Sequence, residues 1–207
     1  MGDPLIRLAR PTDLDDLYEI CLRTGAAGED ATDLMADARL LGDLFVAPYA
    51  VLEPELAFVL DDGRGRTQGY VVGVLDSTDF EARCEQEWWP AVRARHPGPT
   101  GGPGLDDLFI AYLHGRTAAD EAVVARYPSH LHIDLLPPFQ RGGWGRRLMA
   151  TLLDALAAAG SPGVHLGVSV ANERATAFYR HLGFRELGTN GISRTFALPL
   201  GATQPVT

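Results

Sequence analysis

Gln140-Arg141-Gly142-Gly143-Trp144-Gly145 stands between a strand-like run, Leu131 to Leu136, and a helix-like run, Arg146 to Ala159. A glycine-rich turn from strand into helix presents several free backbone N–H groups to an anion. Glycine lets the backbone approach phosphate oxygens with no Cβ in the way. The helix start behind the turn adds a favourable dipole. Arg141, Arg146 and Arg147 crowd that start, which suits an anion between them, although cations there oppose the dipole. The spacing is neither G-x-G-x-x-G nor G-x-x-x-x-G-K-[ST]. It points away from dinucleotides and triphosphate hydrolysis, towards another pyrophosphate ligand.

Upstream lies His130-Leu131-His132-Ile133-Asp134-Leu135. Period-two alternation puts His130, His132 and Asp134 on one face and Ile133 and Leu135 on the other. A row of ionisable groups beside an anion site is a candidate proton path. A solvated strand face is the plain alternative, less apt for a central strand. Downstream, Val164, Leu166, Val168 and Val170 alternate as a second strand. Asn172 or Glu173 then opens a short helix, with Ala175, Phe178 and Leu182 inward and Gly183 at its end. Tyr179 points about 100° from Phe178. It offers its hydroxyl to a ligand passing the helix, or else packs as a core side chain.

The remaining chain supplies the frame. Leu5 to Ala9 reads as a strand, and Thr12 or Asp13 caps a helix to about Arg23. Gly25 to Asp30 is a loop, and Ala31 to Val46 a second helical candidate. Leu56 to Leu60 and Gly69 to Leu75 flank Asp61-Asp62-Gly63-Arg64-Gly65-Arg66 and predict a hairpin. Phe80 to His96 is expected as helix, with Trp88 and Trp89 exposed or covering something. Pro97 to Gly104 holds three prolines and four glycines in eight residues and is a loop. Leu105 to Arg126 adds helical pieces. Leu148, Leu152 and Leu156 mark the clearest helix, and Phe184 to Leu187 and Ile192 to Leu198 are closing strands. The order predicts an α/β (α+β) fold. Its mixed central sheet has about six to seven strands flanked by helices, with a helical insert, about 80–127, before the fourth strand. Residues 1–200 form one expected domain, and 201–207 a flexible tail.

The chain has 207 residues, 46% hydrophobic and 22% charged, which suits one sizeable core. Its net charge of −9 argues against nucleic acid and anionic membranes and suits a cationic acceptor or plain solubility. Cys21 and Cys84 are isolated, with no metal-ligand spacing, so no metal site is expected. Met1-Gly2-Asp3-Pro4 lacks a signal pattern, and no run approaches ~18 apolar residues, so a cytoplasmic protein is expected.

Together these residues resemble the GCN5-related N-acetyltransferase (GNAT) superfamily, over His130 to Leu187. Gln140-x-x-Gly143-x-Gly145 is similar to that superfamily's acetyl-CoA pyrophosphate loop. Asn172 through Phe184, N-E-R-A-T-A-F-Y-R-H-L-G-F, is similar to its second cofactor motif. The H-x-H of His130 and His132 resembles arylalkylamine N-acetyltransferases, where two histidines relay the amine proton. The run from His130 to Leu148 resembles more closely the acetyltransferase-like domain of O-GlcNAcase and its bacterial stand-alone relatives.

The resemblance implies an acetyl-CoA-dependent N-acetyltransferase. Direct transfer would go to a small amine, an amino sugar or the Lys or N-terminal amine of a peptide. Ile133, Leu135 and Leu136 would grip the pantetheine arm opposite Val168 to Val170, an N–H of that segment polarising the acetyl carbonyl. Gln140, Arg141, Gly142, Gly143, Trp144, Gly145 and Arg146 would hold the pyrophosphate. Asn172 would bond the pantetheine or the helix start, and Tyr179 would protonate the leaving thiolate. Asp134 is the first candidate base, with His132 and His130 extending the path, and which of the three takes the proton stays open. The insert, with Trp88, Trp89, Phe109 and Tyr112, is expected to wall the acceptor site. A non-catalytic acetyl-CoA-binding module on the same fold is the alternative. A monomer or homodimer is expected, with no nucleic acid or membrane as partner.

Overall fold

The predicted hairpin is β2 (Ala57–Asp61) and β3 (Thr67–Val74). Its turn is tied by carboxylates: Asp61 accepts from the N–H groups of Gly63 and Gly65, and Asp62 from those of Arg64 and Arg66. Gly63 and Gly65 have φ of +76° and +84°, where a Cβ would be strained. Strand β1 (Leu5–Leu8) pairs antiparallel with β2. Arg7 on β1 donates to Asp61 at 3.0 Å and to Asp13 at 2.6 Å, clamping the hairpin end to the next helix start. Asp13 also accepts from Arg10 N–H at 2.7 Å, so it closes a 3-10 turn, Pro11–Asp13, ahead of α1 (Leu14–Leu22).

The computed structural model describes residues 2–116 and 120–201. The expected tail beyond Gly201 lies outside them. The sheet has seven strands in the order β1-β2-β3-β4-β5-β7-β6, with β4 (Ser129–Leu135), β5 (Gly163–Ser169), β6 (Arg185–Thr189) and β7 (Ser193–Pro199). Every neighbouring pair is antiparallel except β4 and β5. The mixed seven-stranded sheet flanked by helices is the architecture that the sequence predicts.

Two cores sandwich the sheet. Alternation sends Val59, Tyr70, Val72 and Val74 to one face, under α1, α2 (Leu40–Phe45) and α3 (Ala47–Leu52). The insert helices α4 (Ser77–Glu87), α5 (Trp89–Arg95) and α6 (Leu105–His114) complete that layer, with α7 (Glu121–Val124) leading into β4. Leu60, Val71, Leu131, Val164 and Leu166 face the opposite layer, α8 (Trp144–Ala158) and α9 (Glu173–His181). Leu148, Met149, Leu152 and Leu156 of α8 are fully buried there, the apolar stripe that their spacing predicts. No helix among the described residues is long and apolar enough to cross a membrane.

The helical expectations differ from the structure at three places. Ala31–Val46 is not one helix: a 3-10 turn spans Thr32–Leu34 and α2 starts only at Leu40. The Asp106 carboxylate takes the N–H groups of Ala36 and Asp37 at 2.8 and 2.9 Å, so neither is left for a helical bond. Phe80–His96 is two helices. The first starts earlier, because Asp76 caps it by accepting from Thr78 and Asp79 N–H. It ends at Trp88, because Pro90 has no N–H to continue it and instead sits in the first turn of α5. Helix α8 begins two residues before Arg146, at Trp144.

Trp88 and Trp89 hold the insert in place. Trp88 donates from Nε1 to the Asp43 carbonyl at 2.9 Å. Trp89 is 0% exposed and lies under the Arg116 guanidinium, 4.4 Å from the ring centroid. Replacing Trp89 by Ala should cost about 3–5 kcal/mol of stability, read as a lower urea midpoint. An unchanged midpoint would show that the insert is not part of the core.

Candidate active site

Strand β4 is the axis of the site. It pairs with β3 along its length, from Val74–His130 to Gly69–Leu135. With β5 it pairs only at Ser129–Val164 and His130–His165, after which the two strands part. Leu136 N–H donates to Gln68 O on the β3 side. By the antiparallel alternation, the N–H groups of Ile133 and Leu135 therefore point to the β5 side, into the gap. Leu136 itself has no backbone group to spare. Its carbonyl accepts from Phe139 N–H, and its side chain is buried in the α1 layer.

The turn after β4 is shaped as an anion cradle. Gly143 has φ +75° and stands at the N-cap of α8 without a capping side chain. The first intrahelical bond is Arg147 N–H to Gly143 O, so the N–H groups of Trp144, Gly145 and Arg146 precede the helical ladder. A Cβ on Gly142 would come within 3.0 Å of the Trp144 ring, and one on Gly145 within 3.4 Å of Phe178. Arg141 and Arg146 are exposed and form no ion pair among the described residues. Gln140 lines the cleft and also braces it. Its amide nitrogen donates to Leu135 O at 2.8 Å and its oxygen accepts from Arg174 at 2.6 Å, so it ties the end of β4 to α9. Asn172 caps α9, accepting from Ala175 N–H at 2.9 Å.

A cleft opens over the parted strands. Ile133, Asp134, Leu135, Gln140, Gly145, Asn172 and Tyr179, all singled out in the sequence, line it. Thr24 and Gly28, from the loop after α1, close its other side with Arg174, Ala175 and Phe178. Gly28 is pressed against Asn172: a Cβ there would lie 2.9 Å from the amide nitrogen. These chemical features fit coenzyme A, whose pantetheine amides need hydrogen-bond partners and whose pyrophosphate needs unpaired N–H donors and cations.

Asp134 and Tyr179 share that cleft. Burial pushes the Asp134 carboxyl up to about 7, against the hydrogen bond it receives from the Tyr70 hydroxyl at 2.5 Å. Burial also raises the Tyr179 phenol, and the neighbouring Asp134 charge adds to this. The Tyr179 ring is 7% exposed, packed against Phe178, Phe184 and Phe196. Its hydroxyl makes no hydrogen bond among the described residues. Cys21, remote in sequence, sits beside Tyr70 and Asp134, where burial raises its thiol and keeps it protonated.

His130 and His132 lie outside the cleft lining, behind Asp134 under the α2–α6 layer. Tyr49 of α3 bonds both rings, to His130 Nε2 at 2.7 Å and His132 Nε2 at 3.1 Å. Phe45 packs on His132 with centroids 5.6 Å apart and is in turn covered by Phe109 and Tyr112. Of the aromatic insert residues, these two reach the histidine row through Phe45, while Trp88 and Trp89 anchor the insert. Burial holds His132 down at about 4, with Arg116 adding to the effect. His130 lies well below the usual imidazole value for the same first reason, helped by His132, His165 and Arg116. The sequence reading missed Tyr70, Tyr49, Thr24 and Gly28. Tyr70 stands directly opposite Asp134 in the β3–β4 ladder, a pairing across the insert that no local signal sets.

A family model described as the acetyltransferase (GNAT) family matches residues 73–184, from the end of β3 to the residue before β6. Among solved structures, the chain is similar to SsHAT, with 43% identity and a TM-score of 0.90 over 97% of this chain and 100% of that one. YncA of Salmonella typhimurium, solved with its cofactor acetyl-CoA, is 17% identical with a TM-score of 0.56, a likeness of fold, over 100% of this chain and 99% of that one. Protein O-GlcNAcase of Rattus norvegicus is 28% identical over 185 residues, 88% of this chain and 20% of that protein. The chain thus spans about a fifth of the length of the O-GlcNAcases that it matches.

The Asp134 carboxyl carbon should titrate near pH 7 in the ligand-free protein, followed by carbon-13 NMR. Tyr70→Phe removes the donor that favours the charged form, so the midpoint should move further up. A wild-type midpoint near 4 would overturn the assignment.

Proposed function

The chain belongs to the acetyltransferase (GNAT) family, and on that premise we propose that it is an acetyl-CoA-dependent N-acetyltransferase that acetylates an amine directly. One observation carries this reading. A carboxyl raised to about 7 and a tyrosine hydroxyl line one cleft, over the parted strands and beside the helix start. When bound, acetyl-CoA supplies an acetyl group activated as a thioester.

The chain's own groups then have separable tasks. The N–H groups of Trp144, Gly145 and Arg146, with the Arg141 and Arg146 side chains, would hold the pyrophosphate. The N–H groups of Ile133 and Leu135 would hold the pantetheine arm and polarise the acyl oxygen. The Asp134 carboxylate would take the proton from the acceptor amine. An amine of pKa ~10 is only about 0.1% neutral at pH 7, so a base near neutrality removes a large part of the barrier. Tyr179 stays protonated through neutral pH, because burial raises its pKa, and so would donate a proton to the departing sulfur. Cys21 remains a buried thiol, which favours direct transfer over an acyl-enzyme. The acceptor is a small-molecule or peptide amine, and the −9 charge suits a cationic one.

Acetyl-CoA at 100 times its Kd should stabilise the protein by about 2.7 kcal/mol, read as a raised Tm. Incubation with labelled acetyl-CoA and an amine panel should yield an acetylated amine. No binding at millimolar cofactor, or thioester loss with no acetylated amine, would sink the reading. Asp134 must be deprotonated to act, so kcat/KM should rise with pH through about 7. Asp134→Asn should lower it about 100-fold or more and flatten that limb. Tyr179→Phe should lower kcat with acetyl-CoA affinity unchanged, and an equal loss of affinity would instead mark a packing role.

A further inference from the structure

The hydrogen bonds behind Asp134 form a chain whose direction is set at one end. Pro128 O is an acceptor only, and the Ser77 hydroxyl lies 2.5 Å from it. That hydroxyl therefore spends its one proton on the carbonyl. His130 Nδ1 lies 2.8 Å from the same Ser77 oxygen, so Nδ1 must carry a proton and donate. Burial keeps His130 neutral at physiological pH, and a neutral ring protonated on Nδ1 has a bare Nε2. Tyr49 must then donate to His130 Nε2, at 2.7 Å. With its proton spent, the Tyr49 oxygen can only accept from His132 Nε2, at 3.1 Å. His132 is neutral as well, so its Nδ1 is left as an unprotonated acceptor. That atom has no hydrogen bond among the described residues, and it is not among the sealed, unpartnered atoms.

We propose that Tyr49 is a positioning residue that holds His132 as its Nε2–H tautomer, so that Nδ1 accepts a hydrogen bond from the N–H of the acceptor amine next to Asp134. His132 and Asp134 stand on the same strand face, their Cα atoms roughly 7 Å apart. One nitrogen gives an N–H to each when the two side-chain tips converge to about 5 Å, and it then needs at least two N–H donors, which a primary amine or ammonium has and a hydroxyl lacks. The same geometry denies the histidine row a role as proton exit. A proton entering at His132 Nδ1 would shift one along to Tyr49 and one on to His130 Nε2. It would stop there, because Ser77 can pass nothing into a carbonyl. The proton taken from the amine stays with Asp134 and leaves through the cleft.

The recognition step rests on the N-acetyltransferase reading, but the tautomer does not, so the two can fail separately. Nitrogen-15 NMR of the imidazoles in the full, ligand-free chain at pH 7 should show His132 protonated on Nε2 alone and His130 on Nδ1 alone. His132 protonated on Nδ1, or either ring cationic at pH 7, would overturn the inference, whatever the turnover. Tyr49→Phe keeps the ring and removes both bonds. It should produce a mixture of His132 tautomers and raise KM for the amine about tenfold, with acetyl-CoA affinity within about twofold. An unchanged KM with an altered tautomer, or a parallel loss of cofactor affinity, would overturn it. Ser77→Ala cuts the chain at the carbonyl end and should disturb the tautomers in the same way should Tyr49→Phe not fold, and unaltered tautomers in that variant would likewise count against the proposal.

Discussion

The parting of β4 from β5 is the constraint on which the rest depends. Each strand has a full partner on its other side, β3 for β4 and β7 for β5. The sheet can therefore open between them without losing either strand. The opening still leaves backbone groups that a closed sheet would pair, and an unmet buried N–H or C=O costs about 1–3 kcal/mol. One is met internally: the Leu135 carbonyl accepts from Gln140, and Gln140 is held by Arg174 of α9. That pair acts as a brace across the gap. The N–H groups on the same edge are left for a ligand amide or water.

The two faces of β4 divide the labour. Ile133 and Leu135 sit against the α8 core, fixing the height of the strand. His130, His132 and Asp134 face the other layer, where aromatic rings displace water. Three aspartates show what that environment does. Asp13 and Asp61 are also desolvated, but Arg7 donates to both, and this outweighs burial and holds their carboxyls below the usual range. Asp134 has burial without a cation, and the Tyr70 and Thr24 hydroxyls do not reverse it. The ion-paired carboxylates and that of Asp134 differ in having or lacking a cation beside them.

Local signals made the strand, turn and helix around 140–145 legible in sequence, and period-two alternation gave the correct face for His130, His132 and Asp134. The 100° step between Phe178 and Tyr179 did not separate core from cleft: both line the cleft, and Tyr179 is the more deeply buried, against Phe184 and Phe196. What escaped was set by contacts far apart in the chain. Tyr49 meets His130 across 81 residues, and Tyr70 meets Asp134 across 64. The break before α2 depends on Asp106, some 70 residues away. Gln140 belongs to the loop by its spacing to Gly143 and Gly145, and the bonds of its side chain to Leu135 and Arg174 are what that spacing does not display. Pro90 and Asp76 were local signals overlooked, and either would have divided or moved the helix drawn over 80–96.

A carboxyl raised in this way works against the fold that raises it. In the unfolded chain an aspartate titrates near 3.9, and in the cleft Asp134 titrates at about 7. The folded state therefore binds the proton more tightly. The sign follows: stability from this group is fully present below pH ~4, is lost as pH rises towards 7, and stays lost above it. Three pKa units correspond to about 4 kcal/mol as an upper bound, comparable to burying one or two leucines. At the pH where Asp134 can accept a proton, the native state carries that penalty in full. The α8 stripe of Leu148, Met149, Leu152 and Leu156 lies on the far face of the sheet, on uncharged ground. It stabilises the fold at every pH while leaving the cleft free to hold a carboxylate that the surrounding structure disfavours.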